Sequence, residues 1–224
     1  DWSSDVCSSD LATDVDSEHE LDFNRWYDQE HVAERASIPG FTSGTRYQSI
    51  EGAPKYLGVY PTTSLDVFTS EAYGKAFNQQ TPWSVQCLGR MVQPVRRVCQ
   101  ILARTGAGQG SVLLVMPLKP VDTVATLVDD IKTFGAHLAK EDGFVQSSLF
   151  LPDPVLSTPL PNESTVNRVL NPMLMVHASS LAAARRFKLL ASNHLDVIDG
   201  PGGLYAMTWH LHASEASLLS TSEA

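Results

Sequence analysis

Basic residues are scarce in this chain: 16 lysines and arginines stand against 25 acidic residues, a formal charge of -9 over 224 residues. That balance leaves no electrostatic footprint for nucleic acid. Cysteine is scarcer, three in all and without pattern. This argues against a disulfide framework or a cysteine zinc site and for a reducing, cytoplasmic setting. No run of about 18 apolar residues occurs, so no membrane-spanning helix is expected. Nucleophile signatures of the Ser-His-Asp or Cys-His kind are missing, and His19-Glu20 is not followed by the second histidine of a zinc-protease helix. The glycine-rich runs Thr105–Gly110 and 199–203 lack the strand-to-helix context of a phosphate loop. Neither a metal nor a cofactor is called for by these residues.

The first eleven residues, DWSSDVCSSDL, have no strand or helix periodicity and no basic start of a signal peptide. They back-translate in one frame to a common sequencing-library adapter. Asp1–Leu11 therefore reads as an adapter-derived artefact, and the natural residues before Ala12 are expected to be missing. Without that run, 213 residues remain, Cys7 drops out, and the charge falls to -6.

What is present is a repeated order of elements. A helix over 16–36 ends at Pro39-Gly40. Strands follow over Phe41–Ile50 and Lys55–Tyr60, then a helix from Ser64 to about Phe77, a short helix opened by Thr81-Pro82-Trp83, and a strand over Val95–Arg104. Ser17 and Glu20 fit a capping box for the first helix. After a linker over 105–110, a strand at Ser111–Leu118, a helix at Val121–Lys140, strands at Phe144–Leu151 and Pro172–Ala178, a helix at Ser180–Leu195 and a strand at Gly203–Ala213 repeat the order. A Pro-rich loop lies between Pro152 and Ser164, and 214–224 reads as a flexible tail. The second unit (111–213) is β-α-β-β-α-β, and the first (12–104) is the same without its opening strand. This is an α+β chain of tandem ferredoxin-like units. Each leaves one sheet face uncovered, and two in one chain can bury those faces against each other.

The chemistry-bearing residues gather in FNRWYDQEHVAER, Phe23–Arg35. At 100° per residue, Phe23, Trp26, Tyr27, Glu30, Ala33 and Glu34 form one stripe, with His31 on its edge and Arg25, Asp28, Gln29 and Arg35 opposite. The matching helix of the second unit keeps an apolar stripe of Val124, Leu127, Val128, Ile131 and Leu138. The fold therefore does not require polarity at that position. An imidazole beside an acid and a phenol is equipment for proton transfer near neutral pH. His31, Glu30 and Tyr27 are thus the candidate catalytic residues. Phe23, Trp26, Arg46 and Trp83 are candidate substrate-binding residues, with core packing the competing role for the aromatics. His177, in an apolar strand, and the pair His210 and His212 are weaker candidates.

The runs FNRWYDQEHVAERASIPGF and TRYQSIEGAPKYLGVY, with the later TPW, resemble the dimeric α+β barrel superfamily, and within it EthD-like and related bacterial proteins with an FNxWYDxEH…PGF pattern. The resemblance covers 16–104 closely and 111–213 in architecture only. It implies two ferredoxin-like units whose sheets close into a barrel with helices outside, a ligand cleft between sheet and helices, and a site role for His31. The expected activity is cofactor-independent acid/base chemistry, of an isomerase, lyase or cyclase kind, on a small aromatic or carbonyl-bearing molecule. A non-catalytic binder of small molecules, including a stress-associated one, is the alternative, and haem binding through His177 or His210 a third. The expected assembly is a monomeric pseudo-dimer or a homodimer, with no nucleic-acid or membrane partner.

Overall fold

The computed structural model describes residues 7–219, Asn167 apart. Eight strands run in chain order as β1 (Cys7–Val15), β2 (Ser43–Ala53), β3 (Tyr56–Thr62), β4 (Met91–Gly106), β5 (Val112–Pro117), β6 (Phe144–Pro152), β7 (Met173–Ala178) and β8 (Gly202–His212). They close into one barrel in the order β1-β3-β2-β8-β5-β7-β6-β4. The first four read 4-1-3-2 across the sheet, and the last four repeat that order as β8-β5-β7-β6. This is the ferredoxin-like arrangement made twice. The halves meet where β2 pairs with β8 and β4 with β6, so each sheet removes the other's open edges.

Helices lie outside the barrel. The first half carries α1 (Glu20–Trp26), a π-helical turn (Tyr27–His31), α2 (Val32–Ala36), α3 (Glu71–Asn78) and α4 (Pro82–Gly89). The second carries α5 (Val124–Leu138), α6 (Leu181–His194) and the terminal α7 (Ala213–Leu219). Three apolar clusters result. One fills the space between sheet and helices in the first half, with Phe23, Trp26, Tyr27 and Phe41. A second does so in the second half, with Ile131, Phe134, Leu174 and Phe187. The third fills the barrel, with Tyr47, Leu113, Met173 and Tyr205.

Four sequence expectations change. The place of the first half's opening strand is filled, because Cys7–Val15, much of it the adapter-like run, forms β1 between β3 and β4. A slot flanked by two strands satisfies the backbone of whatever enters it. The polar side chains find partners there too: inside the barrel Asp10 accepts from Arg97 at 2.9 Å and from the Cys99 thiol. The capping box does not form; His19 occupies the cap position without a side-chain bond. The linker is shorter, since β4 runs through Thr105 and Gly106. Residues 213–219 form α7 rather than a loose tail, with Ala216 buried against the first half's core; residues 220–224 lie outside the described part. Among the described residues no helix is long and apolar enough to cross a membrane.

Candidate active site

The site begins with a helix that changes pitch. From Tyr27 to His31 the turn is π-helical, and the Val32 N–H donates five residues back to the Tyr27 carbonyl. A π turn accommodates one more residue than an α turn, so the chain beyond it is rotated by about 100° from the α-helical stripe. The residues turned inward are therefore Phe23, Trp26, Tyr27, His31, Val32, Arg35 and Ala36. Arg35, placed on the outer face by regular periodicity, is buried at 7 % exposure.

His31 is 4 % exposed. Its ring stacks obliquely on Trp26, with centroids 4.4 Å apart, and meets Tyr27 edge-on at 5.0 Å and Tyr60 at 6.0 Å. Its Nδ1 is enclosed and has no hydrogen-bond partner. The nearest carboxylate there is Glu34, at 3.9 Å. Burial, with the Arg35 and Arg46 guanidiniums adding to it, holds the imidazole well below the ordinary histidine value, so it is uncharged at neutral pH. Burial pushes the Glu34 carboxyl up, with Glu30 adding and Arg35 opposing. The two groups are thus drawn toward each other in affinity for a proton.

His31 and Arg35 form part of the wall of a cavity of about 50 Å3. Ser9, Leu11, Tyr60 and Arg96 line its sheet side, and Phe41, Tyr73, Phe77, Leu88 and Leu160 enclose it. Leu160 belongs to the Pro-rich loop of the second half. Arg96 fastens that loop, donating to the carbonyls of Leu156 at 2.9 Å and Thr158 at 3.3 Å and to the Tyr73 hydroxyl at 2.8 Å. A wider groove of about 330 Å3 adjoins the cavity through Phe77, Gln80, Leu88 and Leu160 and continues over Val85 and Pro161. Four buried polar atoms around His31 lack a well-directed partner: His31 Nδ1, Glu34 Oε2, Arg35 Nε and the Tyr60 hydroxyl.

The other sequence-derived residues lie elsewhere around the helix. Glu30 points toward α4, where its Oε1 accepts from Thr81 Oγ1 at 2.6 Å, Ser84 Oγ at 2.7 Å and Trp26 Nε1 at 3.3 Å. Tyr27 is fully enclosed, and burial raises its phenol. Phe23 and Trp26 are core residues. Trp83 donates to Asp22 at 3.1 Å. Arg46 is buried over the Tyr27 ring and bonded to Asn24 and Asp28. It faces a separate polar groove of about 440 Å3 with Gln48, Tyr56 and Trp209. Sequence reasoning passed over Arg35, Tyr60, Tyr73, Arg96 and Leu160. Arg35 had a usable signal, since a residue four after His31 shares its helical face.

The haem alternative does not fit the histidines it needs. His177 sits opposite Leu113, whose side chain belongs to the filled barrel interior. His210 has Nδ1 on Thr45 Oγ1 at 2.7 Å and Nε2 3.4 Å from that of His212. Among the described residues no three His, Cys, Asp or Glu side chains converge as a metal site.

Comparison with known proteins places this geometry in a fold. An anthrone oxidase-like protein superposes with a TM-score of 0.64 at 13 % identity, over 96 % of each chain. A chlorite dismutase from Candidatus Nitrospira defluvii gives 0.57 at 8 % identity, over 98 % of this chain and 97 % of its own. A protein assigned as a monooxygenase from Fusobacterium nucleatum gives 0.57 at 8 % identity, over 94 % and 95 %. At such identities the likeness establishes the fold, an α+β barrel of two ferredoxin-like halves. No family model matches the sequence, and no curated protein matches it.

Proposed function

We propose that this protein is an enzyme of small-molecule acid/base chemistry, in which His31 removes a proton from carbon acidified by a carbonyl, attached directly or conjugated through a ring, in a flat, largely apolar substrate. The observation that carries the reading is an uncharged, buried imidazole on the wall of a cavity that adjoins an apolar groove, with its Nδ1 turned to a carboxylate. Glu34 stands at Nδ1, the position from which a carboxylate orients a histidine base; 3.9 Å is a gap that closes when substrate tightens the site. Tyr27 holds the ring edge-on and fixes its plane. Glu30 braces the helix through Trp26, Thr81 and Ser84 rather than receiving the proton. Proton removal is the first step common to isomerases, lyases and cyclases of carbonyl compounds. No cofactor is needed for that step. Buried, unbridged Cys87 and Cys99 suit a cytoplasmic setting.

The name of one structural neighbour supplies the first compound to try. Anthrone has an acidic methylene across the ring from its carbonyl. Incubated with the protein in deuterated buffer under nitrogen, it should exchange that hydrogen faster than in buffer alone, as read by proton NMR. His31→Ala should abolish the enhancement while circular dichroism shows the fold intact. Exchange that survives His31→Ala would remove the histidine from the chemistry. The small, covered cavity also favours a second reading, a binding protein that holds its ligand without turnover. Saturable binding with no exchange of any carbonyl compound would establish it.

A further inference from the structure

We infer that the His31 cavity takes a ligand with one negatively charged oxygen head group on a flat apolar body, and that Arg35 is the residue that selects it. The inference deepens the site proposed above and rests on that reading for its location.

Four arginines are buried in the described structure: Arg35, Arg46, Arg96 and Arg97. Three have their guanidiniums bonded. Arg46 donates to Asn24 and Asp28, Arg96 to Tyr73, Leu156 and Thr158, and Arg97 to Asp10. The Arg35 side chain makes no hydrogen bond among the described residues. Its Nε is enclosed without a partner, and its side chain is 9 % exposed. The nearest carboxylate, Glu34, is 3.8 Å from one terminal nitrogen, beyond hydrogen-bond reach. A buried guanidinium left in that condition is costly. The cost is offset when an anionic oxygen enters and accepts from its fork of N–H groups.

The surroundings fit such a head and no larger polar group. Arg35 lines the cavity of about 50 Å3, with the His31 imidazole beside it and Tyr60 on the sheet side. The space beyond is apolar, along Phe77, Leu88 and Leu160 into the groove of about 330 Å3. One charged oxygen group seated at Arg35 therefore leaves its hydrocarbon body in the groove.

The test uses 2-naphthoate and its neutral isostere 2-naphthamide, titrated calorimetrically into the full chain. The wild type should bind naphthoate about ten- to hundredfold more tightly than naphthamide, the range of a charge-assisted hydrogen bond. Arg35→Gln should bring the ratio close to one. Arg35→Lys should keep part of it, as a point charge without the fork. Thermal denaturation should show Arg35→Gln close to wild type in stability, because the enclosed Nε has no hydrogen bond to lose and the Glu34 ion pair is long at 3.8 Å. The inference is overturned if the amide binds as well as the acid, if neither binds, or if Arg35→Gln keeps the preference. Its failure is separable from that of the proposed chemistry. Naphthoate selection without anthrone exchange leaves the anchor standing and removes the base. Exchange without selection does the reverse.

Discussion

The two halves share a strand order and differ in what lies between sheet and helix. In the second half α5 lays Leu127, Ile131, Phe134 and Leu138 on the sheet, an interface that is mainly apolar, with the Thr105 and Ser147 hydroxyls seated against Gly135. In the first half the corresponding helix carries a π turn, and behind it His31 and Arg35 line a cavity, with Glu34 close to both. Two packings of one architecture thus sit side by side, one closed by apolar contacts apart from the unpaired Ser147 hydroxyl, and one with four unpaired polar atoms clustered at a cavity. Unpaired buried groups at a cavity are what a site needing a ligand looks like from inside.

That contrast can be broken most sharply at His31. Making the first half resemble the second with His31→Leu should lower anthrone exchange by about 10²- to 10⁴-fold, the usual contribution of a positioned base. The denaturation midpoint should hold or rise, because an orphaned polar atom is replaced by hydrocarbon. Loss of both activity and stability would mean that the histidine is structural. The reverse graft, Ile131→Glu, puts a carboxyl into a position that is fully buried among apolar side chains. It should cost about 3–5 kcal/mol, read as a shift in urea midpoint. A cost near zero would show that the second interface can open as the first does.

Much of this fold was legible because periodicity is local. The 4-1-3-2 order follows from two runs of the same element pattern, and closure follows from two sheets that each need a cover. The strand at Cys7–Val15 was not legible, because a slot between two neighbours accepts a polar sequence when its one buried charge, Asp10, meets Arg97. His31 was visible as an ionisable group at the edge of an aromatic stripe. Arg35 was not, because the stripe was drawn at 100° per residue through a turn that does not keep that angle. Leu160 and Arg96 were out of reach for another reason. They meet only when a loop of the second half folds back over the first, and no local pattern encodes a contact of that range.

A comparison of the buried histidines sharpens the pH behaviour. His177 lies inside the barrel, and burial with Arg104 nearby brings it to about 4. His31, on the helix side, is lowered by burial, Arg35 and Arg46, and also faces Glu34, Tyr27 and Tyr60. Both folded values lie below the unfolded value of about 6.5. The unfolded chain therefore binds more protons as the pH drops. Each group contributes stability that is complete above pH 6.5 and lost as the pH falls, toward about 4 for His177. The His177 share is about 3 kcal/mol by the spacing of the two values. His177→Phe should flatten the acid side of the stability profile by that order, and His31→Leu should flatten it further. A wild-type profile that is level from pH 7 to 4.5 would contradict both.

The smallest expected effect separates two roles for a residue next to the site. Glu30 adjoins His31 in sequence, and its carboxylate is already held by Trp26, Thr81 and Ser84. These bonds tie the π-helical segment to α4. Glu30→Gln keeps the shape and one acceptor oxygen but loses the charge that strengthens three hydrogen bonds. Stability should fall by about 1 kcal/mol, read by urea denaturation. Anthrone exchange should change by no more than the few-fold expected when a supporting helix loosens, with its pH dependence unmoved. A loss as large as that of the His31 variant, or a displaced pH profile, would return Glu30 to the proton path and make the acid next to the histidine, rather than Glu34, its working partner.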